Sequence, residues 1–133
     1  MPIVYQSLLI LISILSIYHQ YFVYMEDKAI FTLNIDLQDG FNDDTVILEI
    51  NNKEVFKEEK ITSNPTIALA KKFTTNISSG EVNLKVNITT KNLVDNYKFT
   101  IDSETNLGIS IMEPKSPNKK IEFSLSKEPF TYF

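Results

Sequence analysis

Apolar and polar residues alternate without a break from Val82 to Ile88, where the chain reads Val-Asn-Leu-Lys-Val-Asn-Ile. Successive side chains of a β-strand point to opposite faces of the sheet, so this alternation predicts a strand with one buried face and one hydrated face. We expect the apolar positions, which include Leu84 and Val86, to lie in a core. The intervening polar positions, Asn83, Lys85 and Asn87, are expected to meet water.

The same period of two recurs at short intervals from Phe31 to Leu125. It predicts strands at 29–37, 45–50, 54–57, 73–77 and 81–89, followed by strands centred on Phe99, Ile109 and Phe123. Seven to eight short strands separated by turn residues are typical of an all-β fold, and we predict a single antiparallel β-sandwich over residues 26–133. The architecture is immunoglobulin-like, but the Cys, Trp and Cys spacing of a true immunoglobulin domain is absent.

The connections between these strands carry predictions of their own. The turn residues at 51–53 predict a hairpin between the strands on either side, and those at 78–80 predict a second hairpin in the same way. The alternation lapses from 58 to 65, where Asn-Pro marks a loop. Residues 66–72 form the one segment in which we allow a single helical turn.

Gly108 and the C-terminal tail are two further local features. Gly108 lies inside a predicted strand, where glycine marks a bulge or the close approach of another backbone. The tail, residues 129–133, reads Pro-Phe-Thr-Tyr-Phe. We expect it to form a final edge strand, and the alternative is an exposed extended segment that adds to the sheet of another protein.

Residues 1–25 form an apolar N-terminal segment that contains no Asp, Glu, Lys or Arg. A secretory signal peptide is disfavoured because no basic residue precedes the apolar run. Two interpretations stay open. The segment is just long enough for a membrane anchor, which needs about 20 apolar residues; alternatively it is an over-extended gene start and the protein begins at Met25. We expect a membrane-anchored protein if Met1 is the true start and a soluble cytoplasmic one if Met25 is.

Composition narrows the functional classes. The chain has 133 residues, 43% of them hydrophobic, which is enough for the core of one domain. Its 13 basic residues are all Lys, and 17 acidic residues give a formal net charge of −4 at pH 7. Because nucleic-acid recognition relies on a basic surface and largely on Arg, we expect no nucleic-acid partner.

The residues needed for common catalytic centres are scarce. The chain contains no Cys, which excludes disulfides, thiolate catalysis and Cys-based zinc sites. Its single His, His19, lies in the N-terminal segment, so the domain has no imidazole for general-base catalysis. We therefore predict that the protein is not an enzyme and carries no cofactor.

The acidic loop, which we define as residues 36–44, is the best candidate for chemistry. Its candidate ligands are Asp36, Asp39, Asn42, Asp43 and Asp44. Hard cations such as Ca²⁺ prefer six to eight oxygen ligands of this kind, although the spacing matches no EF-hand. Asp39, Asp43 and Asp44 are the weak metal candidates; ordinary turn formation explains the same residues equally well.

Aromatic residues indicate little surface chemistry. The chain has no Trp, and Phe31, Phe99 and Phe123 fall on predicted apolar faces, so we expect them in the core rather than in a flat sugar-binding platform. Phe41, in the acidic loop, is expected to pack over the end of the sandwich or else to contact a partner.

Two functional hypotheses follow from these patterns. The first is a non-enzymatic β-sandwich module that acts through protein contacts, as a structural subunit, adaptor or surface domain. The alternative is a ligand-binding module that uses the acidic loop for a cation, lipid or glycan.

Overall fold

The computed structural model describes residues 10–17 and 28–133. Its domain contains eight β-strands and one 3-10 helix. The elements are β1 (Ile30–Leu37), β2 (Asp44–Ile50), β3 (Lys53–Ile61), β4 (Lys71–Ser78), β5 (Gly80–Ile88), η1 (Thr89–Lys91), β6 (Leu93–Ile101), β7 (Thr105–Met112) and β8 (Lys120–Ser126). The predicted strands are therefore confirmed, although β3 extends well beyond its predicted end at residue 57.

The strands form two four-stranded sheets that pack face to face. Sheet A has the order β4-β1-β7-β8, and sheet B has the order β3-β2-β5-β6. Strands β1 and β7 are parallel, whereas every other pairing is antiparallel. The fold is the predicted all-β sandwich.

Side chains from the inner faces of both sheets form one hydrophobic cluster. The four apolar positions of β5 (Val82, Leu84, Val86 and Ile88) are fully buried, as their alternation predicts. Sheet A supplies Leu33, Ile35, Leu107 and Ile109 to the same cluster, also fully buried. Burial of one such side chain stabilises the fold by about 1.5–3 kcal/mol relative to exposure, so this alternation is the main determinant of the sandwich.

The predicted second hairpin is wrong. Strands β4 and β5 follow one another through Ser79, yet β4 pairs with β1 in sheet A and β5 pairs with β2 and β6 in sheet B. The chain changes sheets at Gly80, whose φ of 122° lies in a region that favours glycine. Ser79 donates its N–H to the Ala29 carbonyl at 2.8 Å, which holds this corner against the start of β1. A turn signal identifies a change of direction and does not identify the pairing partner.

Two other local predictions change. Strand β3 continues to Ile61, past the point where alternation lapses. Residues 66–72 contain a hydrogen-bonded turn rather than a helix, since Ala68 donates to the Asn64 carbonyl at 2.8 Å and Ala68 has a φ of 57°. The Asn64 side chain also accepts the Thr66 N–H at 2.8 Å, a local bond that competes with helix formation.

Gly108 marks neither a bulge nor the close approach of another backbone, because the group that lies against it is a side chain. The β7 register runs unbroken through this residue, which pairs with Asp36 on one side and Ser124 on the other. A Cβ atom at Gly108 would lie 2.6 Å from the Gln38 side-chain oxygen. Glycine at this position leaves room for the Gln38 amide to lie across β7.

The described residues test only part of the prediction for the N-terminal segment. Residues 10–17 are helical, and their apolar side chains from Ile10 to Ile17 are exposed. Within the described residues no helix has the length and apolar character needed to cross a membrane. Residues 1–9 and 18–27, on which the anchor, the Met25 start and the domain boundary depend, lie outside the described residues.

Candidate functional site

The acidic loop is held mainly by backbone contacts to the segment after β3. Phe41 donates its N–H to the Ser63 hydroxyl at 3.0 Å, and Asp43 donates its N–H to the Thr62 hydroxyl at 2.9 Å. The Asp39 carboxylate accepts the adjacent Gly40 N–H at 2.9 Å. Only the bond from Gly40 to Asp39 is local to the turn, so the conformation of the loop depends both on its own Asp and Gly residues and on the hydroxyls of Thr62 and Ser63.

Asp44, the last residue of the acidic loop, lies at the centre of a buried network. Only 1% of the residue is exposed. Its Oδ1 accepts a hydrogen bond from the Thr90 hydroxyl, and its Oδ2 forms an ion pair with the Lys91 ammonium and accepts the Asn42 N–H at 2.8 Å. The contact joins the start of β2 to η1, which directly follows the end of β5.

The pKa of Asp44 lies below its usual value. Burial alone raises the pKa, but the hydrogen bonds from Lys91, Thr90 and Asn42, together with the positive charge of Lys91, outweigh that effect. The carboxylate is therefore ionised at neutral pH and compensated within the fold.

The structure does not bring the predicted metal candidates together. Asp39 and Asp43 are exposed, whereas Asp44 is directed into the network with Lys91. Among the described residues no group of three or more His, Cys, Asp or Glu is placed to hold a metal ion. Asp36 lies elsewhere: it is in β1, on the outer face of sheet A, and only 6% exposed.

Phe41 packs over the end of the sandwich. It is 3% exposed and belongs to the hydrophobic core. Of the other aromatics predicted in the core, Phe99 is buried, while Phe31 and Phe123 are half-buried against the core. Phe123 of β8 stacks on Tyr97 of β6 with ring centroids 4.6 Å apart. The stack joins an edge strand of sheet A to an edge strand of sheet B.

The C-terminal tail does not form the predicted edge strand. Residues 127–133 have no strand structure and cross the outer face of sheet A. The Tyr132 hydroxyl donates to Asp36 Oδ2 at 2.6 Å and accepts from the Gln38 amide at 3.0 Å. The Lys72 ammonium lies 5.2 Å from the centroid of the Tyr132 ring. The tail therefore packs against the polar face of β1 and does not pair with the edge of a sheet.

The pKa of Tyr132 is raised to about 12. Burial is the largest cause, followed by the hydrogen bond to the Asp36 carboxylate, while the hydrogen bond from Gln38 acts in the opposite direction. The phenol therefore stays protonated, and able to donate to Asp36, throughout the physiological pH range.

A cleft of about 220 Å³ lies between the tail and sheet A. Its lining comprises Asn34, Asp36, Lys72, Thr74 and Asn106 from the sheet and Pro129 and Phe130 from the tail. Sequence reasoning missed this cleft. Asn34, Asp36 and Asn106 occupy the polar positions of alternating strands, but nothing in the sequence indicates that the tail lies over them.

The outer edge of β6 is the second exposed feature. All nine residues of β6 pair with β5 in continuous register, and no described residue pairs with its other side. Val94, on the outer face of β6, is 55% exposed. By contrast, β3 at the opposite edge of sheet B has two register shifts, and its Lys60 has a φ of 58°.

The outer face of sheet B carries a shallow depression of about 120 Å³ over β3, β2 and β5. Its lining comprises Ile47, Glu49, Glu54, Lys85 and Asn87. Asn87 pairs with Ile47 on one side and with Val94 on the other, so two partly exposed aliphatic side chains flank one amide.

No family model matches the chain, and no curated protein matches it. Function is therefore inferred from the surfaces of the sandwich.

Proposed function

We propose that this chain is a non-enzymatic β-sandwich module that acts through protein contacts, as a structural subunit, adaptor or surface domain. The contact surface that we assign is the outer edge of β6, and its occupant is an extended segment of a partner protein. The observation that carries the proposal is the nine-residue, unbulged pairing of β6 with β5 beside an edge that no described residue pairs.

An open strand edge presents a row of unpaired N–H and C=O groups that can pair with a further strand. Natural proteins protect such edges with bulges and charged side chains, and β3 has both, in its register shifts and its Lys and Glu residues. The outer strands of sheet A are shorter, at eight residues for β4 and seven for β8. Strand β6 is therefore the best template for β-augmentation.

Side chains next to the edge support the same surface. Val94 is 55% exposed, and Ile47 lies half-buried across Asn87 from it. A partner segment that covers Val94 removes apolar area from water, which adds to the main-chain hydrogen bonds that it forms. Main-chain pairing supplies affinity, and the side chains around Val94 supply specificity.

The rest of the molecule is consistent with a contact module. The ion pair of Asp44 with Lys91 fixes η1, which leads directly into β6. A rigid entry to the edge lowers the conformational cost of binding. We use the term immunoglobulin-like for this module only in the broad sense of two packed sheets.

Site-specific photo-crosslinking in the cells that make the protein tests the assignment. A photo-reactive side chain replaces Asn96, which is exposed on β6, or Ser124, which is exposed on β8 and serves as the matched control. We expect one discrete protein adduct from position 96 and none from position 124. We also expect Val94→Glu to abolish the adduct and Ile30→Glu, at an aliphatic residue that is 69% exposed on β1, to preserve it.

Equal adducts from positions 96 and 124, or an adduct that survives Val94→Glu, contradict the β6 assignment. Circular dichroism and thermal melting of each variant verify that the sandwich is intact.

Calcium titration separates this proposal from the cation hypothesis for the acidic loop. Because Asp44 is compensated by Lys91 and does not converge with Asp39 and Asp43, we expect millimolar Ca²⁺ to leave the melting temperature unchanged. A ligand that binds the native state must stabilise it. A rise in melting temperature that Asp39→Asn and Asp43→Asn remove would restore the cation hypothesis.

A further inference from the structure

The cleft beneath the tail has balanced charge. One carboxylate, Asp36, and one ammonium, Lys72, line it. A site for a divalent cation needs several carboxylates, and a phosphate site needs an excess of positive groups. The cleft therefore favours a ligand without net charge.

The cleft also retains unused hydrogen-bonding capacity of both kinds. Asn34 is used internally, since it donates to Glu104 and Asn106 at 3.2 Å each and accepts from Thr74 at 2.9 Å. Thr74 keeps its acceptor lone pairs, and Lys72 pairs with no carboxylate among the described residues.

Asp36 adds a buried acceptor. Its Oδ2 accepts from Tyr132, whereas Oδ1 accepts no side-chain hydrogen bond from the described residues. A carboxylate has about four acceptor sites, so most of this capacity is open to a ligand. A group that both donates and accepts, such as a hydroxyl, can satisfy Asp36, Thr74 and Lys72 together.

The tail contributes the apolar wall. Pro129 and Phe130 line the cleft opposite the polar strands, and Phe130 is half-buried there. The volume of about 220 Å³ lies below the ~300–1,000 Å³ of sites that enclose drug-sized ligands. The space suits one small ring that has hydroxyl groups on its edge and C–H groups on its face.

We propose that this cleft binds a single neutral, hydroxyl-rich ring, that is, one hexose unit. The strands supply hydrogen bonds through Asp36, Lys72 and Thr74, and the tail supplies the apolar contact. The site is independent of β6 and lies on the other sheet.

Titration of the ¹⁵N-labelled full chain with glucose, galactose and mannose, followed by NMR, tests the proposal. We expect at least one hexose to bind with a dissociation constant of about 1–10 mM, corresponding to the few hydrogen bonds available. The shifted amides should cluster at 34–36, 72–74, 106 and 129–132. Parallel titrations with inorganic phosphate and Ca²⁺ should leave these amides unchanged.

Matched variants separate binding from structural damage. Thr74→Val should weaken hexose binding about fivefold, the effect of losing one neutral hydrogen bond, and Lys72→Ala should weaken it about tenfold or more, because the lost hydrogen bond comes from a charged group. Thr100→Val and Lys98→Ala make the same changes at exposed positions on β6 and should leave hexose binding unchanged. A methyl glycoside that binds as well as the free hexose assigns the site to the end of a glycan chain, whereas loss of binding assigns it to the free sugar.

The proposal is overturned if no hexose shifts the cleft amides, if the shifts lie elsewhere, or if phosphate or Ca²⁺ shifts the cleft amides instead. Equal weakening by Thr74→Val and Thr100→Val also overturns it. The hexose results are independent of the cross-linking at β6, so the two proposals can fail separately.

Discussion

Two side-chain contacts join segments that are distant in the sequence, and each depends on one carboxylate. Asp44 holds η1 through Thr90 and Lys91, and Asp36 holds the tail through Tyr132. Hydrogen bonds to charged groups are stronger than neutral ones, at about 1.5–3 kcal/mol each. These contacts therefore determine how stably η1, which precedes β6, and the tail, which covers the cleft, are held in place.

Asp44→Asn should lower the free energy of unfolding by about 3 kcal/mol at pH 7, because Lys91, whose side chain is only 13% exposed, loses its partner. The lowered pKa of Asp44 contributes stability that is present above its unfolded pKa of about 3.9 and is lost as pH falls through the folded value. The difference between wild type and Asp44→Asn should thus shrink below about pH 4. Urea denaturation at several pH values measures this, with the exposed Asp43→Asn as control; a pH-independent difference contradicts the role of the Asp44 charge.

Tyr132→Phe should detach the tail and lower the stability by about 1.5 kcal/mol at pH 7. Because the folded pKa is raised to about 12, this contribution is complete below the unfolded pKa of about 10 and disappears as pH rises towards 12. An absorbance titration of phenolate should show a late component that Tyr132→Phe removes and that Tyr97→Phe retains. A late component that persists in Tyr132→Phe would refute the assignment.

At the level of elements, two glycines allow the chain to change direction for different reasons. Gly40, in the acidic loop, has a φ of 88°, and a Cβ there would lie 2.2 Å from the Ile111 carbonyl oxygen. Gly80, at the corner between β4 and β5, has a φ of 122°, but a Cβ there would meet no atom within 4 Å. A side chain at position 40 would therefore cause both backbone strain and a steric clash, whereas a side chain at position 80 would cause backbone strain alone.

Gly40→Ala should therefore lower the free energy of unfolding by about 3 kcal/mol, and Gly80→Ala by about 1 kcal/mol. Chemical denaturation of the two variants side by side measures the difference. Equal losses would show that the close approach of residue 40 to β7 is not maintained in solution.

The elements also show what alternation can predict. Strands with one fully buried face, such as β2 and β5, are predicted almost to the residue because burial of alternate side chains dominates their energy. The end of β3 is missed because its side chains are mostly polar and partly exposed. The pairing of β4 is missed because turn residues specify direction but not which strand lies alongside.

At the scale of the whole molecule, the two surfaces that we assign to ligands lie on different sheets. Sheet B ends in the open edge of β6, and the outer face of sheet A is partly covered by the tail. The fold class was predictable because the core is a property of the alternation as a whole. The cleft was not, since it forms only when residues nearly 100 positions apart, such as Asp36 and Tyr132, come into contact.

Amide hydrogen exchange across β6, in the free protein and in its complex with the cross-linked partner, tests the central claim most directly. Amides of β6 that point away from β5 should exchange rapidly in the free protein, because nothing in the described residues pairs with them. Partner binding should slow these amides by about tenfold or more, and leave the edges of β3, β4 and β8 unchanged. Protection of another edge, the acidic loop or the tail, with β6 unaffected, would contradict the account.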